Sequence, residues 1–308
     1  MEHVTTPTLA DDVLDGLTRP FKELSPKHLY DARGSELFDA ICELPEYYPT
    51  RTERGILEAH AGALVGDAVE LVELGAGSAA KTRVLLDTGR IRRYVPFDVS
   101  PTALDETLAR EYPDLEVVPV TGDFETDLDR IPPRRPGEPR LLAFLGGTIG
   151  NFLPGARRAF LRMLAGALAP DDALLLGTGL ITDVGAMEAA YDDDAGVTAA
   201  FNLNLLAVLN RELSGNFDLD SFEHVAFYDP QNEWIEMRLR ARREHTVRLE
   251  ALDFDVPFER GEEMRTELST KFTRERLEAD YESAGLRLDG WYTDAEERFA
   301  LSLARPVC

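Results

Sequence analysis

Cysteine is nearly absent from this chain. Its 308 residues include only 2. These are Cys42 and Cys308, too far apart in sequence to suggest a disulfide framework or a zinc site, and the pattern fits a reducing cytoplasm. Basic residues are scarce beside acidic ones: 33 Lys and Arg stand against 57 Asp and Glu, a net charge of −24. A surface of that sign opposes phosphate backbones, so nucleic acid is not an expected partner. The acidity itself reads as a solvated shell. No apolar run reaches membrane-spanning length, and the opening Met1-Glu-His-Val-Thr-Thr-Pro has no signal-peptide pattern. A cytoplasmic protein with no membrane partner is therefore expected. The five histidines, His3, His28, His60, His224 and His245, show no ligand spacing. Each is expected at the surface or at a cap, and no metal site is expected. Lysine occurs only as Lys22, Lys27, Lys81 and Lys271.

What the chain does contain is 44% hydrophobic residues, enough for one large core or two unequal ones. It also contains a glycine turn in a telling place. Glu70-Leu-Val-Glu-Leu-Gly75-Ala-Gly77-Ser78 runs from an apolar strand into the turn. A helix-like stretch from Ala79 to Thr88 follows, then a second strand, Tyr94-Val-Pro-Phe-Asp98. This order predicts the first half of a doubly wound α/β sheet that holds a nucleoside at the carboxyl ends of its strands. Gly75 and Gly77 let the backbone approach a ligand where a side chain would collide. Asp98, at the tip of the second strand, is placed to accept from ribose hydroxyls.

A nicotinamide dinucleotide can use the same turn, and an ordinary strand–helix turn can carry the same glycines. Two details favour S-adenosylmethionine (SAM). Glu73 puts a carboxylate where a pyrophosphate would sit, and like charges repel there, whereas a sulfonium and an ammonium would be attracted. The third strand ends in Gly122-Asp123-Phe124. Its carboxylate can accept from an adenine amine while the ring packs on the base.

Further strands alternate with helices at the spacing of a parallel sheet. Glu116–Val120 is the expected third strand, with Pro119 near its end or on an unpaired side. Leu141–Leu145 and Ala173–Gly177 are the fourth and fifth, with a helix from Arg157 to Ala169 between them. A helix from Thr273 to Ala284 has Thr273 as N-cap and Gly285 just past its end. Strands at Leu286–Tyr292 and Arg298–Ala304 close the chain. The intervening insert opens with one long helical pattern, Asp183–Ser214, and continues with strands at Trp234–Arg240 and Thr246–Glu250. The expected organisation is a sheet domain from 52–180 and 272–308, plus a smaller α+β substrate-binding lid domain from 1–51 and 181–271.

Four segments outside the glycine turn carry a resemblance. They are Tyr30-Asp-Ala-Arg-Gly34-Ser35-Glu-Leu-Phe38-Asp39, Leu44-Pro-Glu-Tyr47-Tyr48-Pro49-Thr-Arg51-Thr-Glu53, Phe144-Leu-Gly146-Gly-Thr148-Ile-Gly150-Asn151 and Gly261-Glu-Glu-Met264-Arg-Thr-Glu267-Leu-Ser269-Thr-Lys271-Phe272. The insert adds Tyr191-Asp-Asp-Asp-Ala-Gly-Val-Thr-Ala-Ala-Phe201-Asn202. From about Lys27 to Ala304 the chain resembles the SAM-dependent histidine-specific Nα-methyltransferases of ergothioneine biosynthesis. The resemblance implies a class I SAM-methyltransferase sheet. It also implies that Gly75, Lys81, Asp98, Asp123 and Phe124 contact SAM, and that Asn151, Tyr191, Tyr47, Glu267 and Ser269 form an amino-acid site. Gly147 departs from the family pattern, in which a small hydroxyl residue stands there, and can loosen the turn beside Asn151.

The chemistry agrees with that implication. Methyl transfer from a sulfonium to an amine is an in-line displacement in which alignment matters most. A free α-amine titrates near a pKa of about 8, so no strong dedicated base is required. Lys81 can reach the methionine carboxylate. Asn151 can donate to the substrate carboxylate and accept from its amine, Tyr191 can donate a second bond to that carboxylate, and Tyr30 can lie near the amine. Glu267 and Ser269, two apart in a strand, share a face and can meet both nitrogens of an imidazole. Tyr47 would complete the ring pocket and Met237 would form its wall. Without the resemblance each residue has a plainer reading. Lys81 could be an exposed lysine, Asn151 a strand terminator, Tyr191 a packed helix tyrosine, Glu267 and Ser269 an exposed polar face, and Met237 core.

The leading reading is a monomeric enzyme that methylates the α-amine of L-histidine three times, yielding hercynine. The alternatives are a relative acting on another amino acid such as tryptophan, an NAD-dependent oxidoreductase, and a non-catalytic SAM-binding module.

Overall fold

A computed structural model describes residues 8–77, 79–99, 108 and 110–307. His3, Ser78 and Cys308 lie outside them. The strands are β1 (Lys22–Glu23), β2 (Glu70–Leu74), β3 (Arg93–Asp98), β4 (Glu116–Val117), β5 (Val120–Thr121), β6 (Arg140–Phe144) and β7 (Ala173–Gly179). They continue with β8 (Phe222–Asp229), β9 (Trp234–Ala241), β10 (His245–Leu249), β11 (Phe254–Phe258), β12 (Glu263–Thr270), β13 (Leu286–Thr293) and β14 (Phe299–Pro306). The described helices are α1 (Leu9–Leu17), α2 (Ala32–Glu43), α3 (Tyr48–Val65), α4 (Thr82–Leu86), α5 (Pro154–Ala167), α6 (Val184–Ala189), α7 (Val197–Leu213) and α8 (Arg274–Ser283). The described residues divide into two compact units, one built from 49–181 and 271–307, the other from 8–48 and 182–270.

In the first unit the sheet order is β13-β14-β7-β6-β2-β3-β4, with β5 also paired to β3. Neighbours run parallel except around β14, which is antiparallel to both β7 and β13. The central strands are apolar on both faces because both faces are covered. Leu71, Tyr94, Leu141 and Leu175 pack with Ile56, Leu57 and Leu64 of α3. Val72, Val95, Leu142 and Leu174 pack on the other side with Phe160, Leu161 and Leu164 of α5 and with Leu277 and Tyr281 of α8. This is a doubly wound α/β topology, in which ligands bind at the loops after the carboxyl ends of the strands, here β2, β3 and β6. The expected third strand is split: β4 and β5 pair separately with β3 on either side of Val118-Pro119. Proline has no N–H to give the ladder, which accounts for the break. The C-terminal helix is capped as its sequence predicts, with Thr273 accepting from the Arg276 N–H (3.2 Å) and Gly285 at φ +77°.

The second unit is built on a four-stranded sheet, β1-β12-β9-β8, with β10 and β11 forming a separate hairpin. Leu205, Leu206 and Leu209 of α7 share a core with Ile235, Met237 and Leu239 of β9 and with Val13, Leu29 and Ile41 from the N-terminal segment. The single long helix expected over Asp183–Ser214 is a correction. It is two helices, α6 and α7, interrupted between Tyr191 and Gly196. Asp193 accepts from the N–H groups of Val197 (2.9 Å) and Thr198 (2.7 Å), and Gly196 adopts φ +72°. A carboxylate that satisfies the first free donors of α7 favours a new helix start over continuation. Among the described residues, no helix is long and apolar enough to cross a membrane.

Candidate active site

The glycine loop is shaped by its bonds to β3. Gly75 (φ +73°) donates its N–H to Phe97 O at 2.8 Å, and Gly77 (φ +49°) donates to Asp98 Oδ2 at 3.0 Å. Both glycines are solvent-exposed, and Asp98 is half-buried beside them. A Cβ at Gly75 would stand 3.9 Å from the Phe124 ring. Phe124 is held edge-on against Phe144, with centroids 5.1 Å apart. Gly122 is needed just before it, since a Cβ there would come within 2.9 Å of Phe97. Asp123 Oδ1 accepts from the Glu125 N–H (2.9 Å), and the side chain is half-buried. Two carboxylates, a ring face and a side-chain-free loop fit the ribose, adenine amine and adenine plane of SAM.

Glu73 does not stand at the mouth of this loop, contrary to expectation. It is 4% exposed, on the face of β2 that packs toward α3 and α4, and it accepts from the hydroxyls of Thr82 (2.5 Å) and Tyr94 (2.5 Å). Burial pushes its carboxyl up to about 7, although the two hydroxyl bonds and the Lys81 charge pull it down. The repulsion argument against a pyrophosphate therefore loses its residue. The helix after the loop is also shorter than expected. Ala79 takes φ +52°, so the backbone enters helical space only later and Lys81 is the residue flanking α4. The Lys81 ammonium pairs with Glu53, a fully buried carboxylate on α3. The other oxygen of Glu53 accepts from the Gly146 N–H at 2.7 Å. Gly177 makes room for it, since a Cβ there would lie 2.2 Å from Glu53 Oε1. Glu53 carries no local signal of this role in the sequence, because its partners lie 28 and 93 residues away. One buried acid thus ties Lys81 to the turn after β6. That turn passes through Gly146 (φ +78°) and Gly147 (φ +72°) and ends in a 3-10 turn at Thr148–Asn151. Glycine at 147 meets a left-handed backbone that other residues strain to adopt.

The remaining predicted residues gather in the second unit. Glu267 and Ser269 share one face of β12 and are 9% and 7% exposed, so the exposed-face reading does not hold. Thr266, just before them in β12, donates its hydroxyl to Met237 O at 3.1 Å. Met237 stands opposite Glu267 in the β9 register and is buried. The Tyr191 hydroxyl donates to Ser269 Oγ at 2.8 Å. These two hydroxyls, assigned from sequence to opposite ends of a substrate, are direct neighbours. Burial, with the Glu267 charge behind it, holds the Tyr191 hydroxyl above the ordinary phenol range, against the lowering effect of the Ser269 bond. Tyr47 packs edge-on against Tyr191 (6.2 Å) and Phe38 (6.1 Å). Tyr30 packs against Phe38 and Phe201 (5.4 Å each) and is 42% exposed. Phe38, in the same motif as Tyr30, joins this aromatic cluster through Tyr30, Tyr47 and Phe201. His224 is a further correction: it is neither at the surface nor at a cap, its side chain being 2% exposed.

Comparison with known proteins identifies the family. A family model described as histidine-specific methyltransferase, SAM-dependent, matches residues 9–306. The histidine N-alpha-methyltransferase of Mycolicibacterium smegmatis is 52% identical over 305 residues, 96% of this chain and 94% of the relative. That of Mycobacterium tuberculosis is 50% identical over the same shares of both chains. A more distant relative, the L-tryptophan methyltransferase trpM of Psilocybe serbica, is 29% identical over 96% of this chain and 92% of its own. The resemblance drawn from the motifs is borne out, and the chain belongs to the SAM-dependent histidine-specific methyltransferase family.

Proposed function

We propose that this chain transfers three methyl groups from SAM to the α-amine of L-histidine, giving hercynine, the first step of ergothioneine biosynthesis. The observation that carries the choice of amino acid is the buried pair Glu267 and Ser269 on one face of β12. An imidazole offers two nitrogens to such a pair, one N–H for the carboxylate and a second nitrogen for the hydroxyl. An indole offers one N–H and would leave a buried polar group unmatched, at a cost of about 1–3 kcal/mol. The names of the two mycobacterial relatives support the same choice.

In this reading the first unit holds the donor and the second binds the amino acid. Asp98 would accept from the ribose hydroxyls, Asp123 from the adenine amine, and Lys81 would meet the methionine carboxylate while Phe124 covers the base. Bound SAM supplies an electrophilic methyl. The protein's own task is to place a neutral amine in line with it and to keep water away. Asn151 would hold the substrate carboxylate and orient the amine, with Tyr191 as second donor and Tyr30 beside the amine. The amine gives its proton to solvent between rounds, which its pKa of about 8 permits without a strong base. Tyr47 and Met237 would wall the ring. The scarcity of cysteine supports a cytoplasmic location, and nothing in this chemistry asks for a metal, a membrane, a nucleic acid or a second copy of the chain.

The test is methyl transfer measured across an amino-acid panel at equal concentration. Histidine should exceed tryptophan and phenylalanine by more than a hundredfold in kcat/KM. Tryptophan preferred over histidine would move the chain to the other branch of its family, and reduction of a nicotinamide dinucleotide would refute the reading altogether.

A further inference from the structure

Behind the Tyr191–Ser269 pair lies a polar chain that the roles assigned above do not use. His224, on β8, bonds through Nε2 to the backbone carbonyl of Tyr191 (2.8 Å) and through Nδ1 to the Asn202 side-chain amide of α7 (2.9 Å). The same amide nitrogen reaches the carbonyl of Arg238 on β9 (3.1 Å). Asn202 is fully buried.

Donor and acceptor matching leaves one arrangement. Arg238 O is an acceptor, so Asn202 must turn its NH2 toward it, and that NH2 then also points at His224 Nδ1. Nδ1 must accept, so the ring is the neutral tautomer with its proton on Nε2, and that proton goes to Tyr191 O. A protonated ring would set an N–H against the amide donor. Burial lowers the His224 pKa and so favours the neutral ring; the Asp192 carboxylate, 3.9 Å from Nε2, and Asp193 act in the opposite direction. Tyr191 lies between α6 and α7, outside regular structure. Its backbone is therefore held by the N–H it donates to Glu188 O (2.9 Å) and by the His224 ring.

We infer that His224 is a positioning residue for the amino-acid site: as an Nε2–H tautomer oriented by Asn202, it fixes the Tyr191 backbone and so aims the Tyr191 hydroxyl at Ser269 and the substrate. This rests on the proposed placement of Tyr191 in that site. A purely structural histidine would affect stability and both ligands alike. A positioning one acts on the amino acid alone, and any side chain that returns the Nε2–H should restore it.

The experiment compares H224F, H224Q and Y191F in steady-state kinetics, with SAM affinity measured by calorimetry. H224F keeps the ring shape and removes both polar atoms, whereas H224Q places an N–H close to where Nε2 stands. H224F should raise the histidine KM about tenfold with SAM affinity within twofold of wild type, and H224Q should return the KM to within about threefold. An unchanged KM in H224F, or an equal rise in H224Q, would overturn the positioning role. Y191F separates this from the underlying reading: if its histidine KM is unchanged, Tyr191 is not in the site and the placement itself falls. Should H224F not fold, 15N spectra of the wild-type imidazoles decide the matter. A neutral Nε2–H signature for His224 at pH 7 supports the inference, and an Nδ1–H or charged ring overturns it.

Discussion

The two units present their polar groups in opposite ways. In the sheet unit the groups assigned to SAM sit on loops at strand ends, half-buried or exposed, and their positions come from backbone geometry: Gly75 and Gly77 in left-handed space, tied to the end of β3. In the second unit the groups assigned to the amino acid, Tyr30 excepted, lie inside a core. Glu267, Ser269 and Tyr191 are each less than a tenth exposed, and the Tyr191 and Ser269 hydroxyls already bond each other. An open loop can take a large ligand with little rearrangement, but each of its hydrogen bonds competes with water. A buried set gives fewer, stronger bonds and rejects ligands that leave one of its members unmatched. Affinity for the donor should therefore be spread over many weak contacts, and selectivity for the amino acid concentrated in a few strong ones.

The largest expected effect probes the exception, the buried Glu73 under the open loop. Its folded pKa is raised from 4.5 to about 7. Whatever stability it contributes is fully present below pH 4.5 and is lost as pH rises through 7, a difference of about 3 kcal/mol at most. Denaturation of SAM-free wild type and E73Q at pH 5 and pH 8 should show the wild type losing that amount relative to the variant. A pH-independent difference would mean that Glu73 ionises as if solvated, and the contrast between loop and interior would soften.

Next comes Glu267. Removing a buried charged partner should raise the histidine KM by about 10- to 150-fold, equivalent to roughly 1.5–3 kcal/mol, with SAM affinity nearly unchanged. Discrimination against phenylalanine should shrink in E267A, because no buried carboxylate is left unmatched when an apolar ring binds. An unchanged histidine KM in a folded variant would remove Glu267 from the substrate.

Asp98 and Asp123 should each matter less. D98A and D123A are expected to weaken SAM binding by about tenfold, the lower end for a charged hydrogen bond, since both carboxylates remain partly solvated. Calorimetry checks this. A loss as large as that of E267A would erase the distinction between the units, and wild-type affinity would place the cofactor elsewhere.

The sheet unit was the more legible of the two in sequence, for the reason that makes it open. Loops that approach a ligand need residue types that show on their own, such as glycines at positive φ and carboxylates at strand tips. The C-terminal helix, with Thr273 and Gly285 at its ends, was readable in the same way. Glu73 was misread because nearness to the loop outweighed strand alternation, which puts it on the face of Leu71, in the interior. The break between α6 and α7 was missed although Asp193 and Gly196 mark it, because apolar spacing continued across the gap. His224 had no local signal at all. Its partners are Tyr191, in the turn between α6 and α7, and Asn202 on α7, which is itself tied to Arg238 on β9, and only the folded chain brings them together.

The central claim is that a neutral amine is presented repeatedly to the donor by a site with no charged side chain assigned to grip it. The direct measurement is the mass of the product after histidine is incubated with enzyme and excess SAM until the reaction stops. The account predicts one dominant species heavier than histidine by three methyl groups, with the mono- and dimethyl forms present only early. A monomethyl product that persists to the end would contradict it.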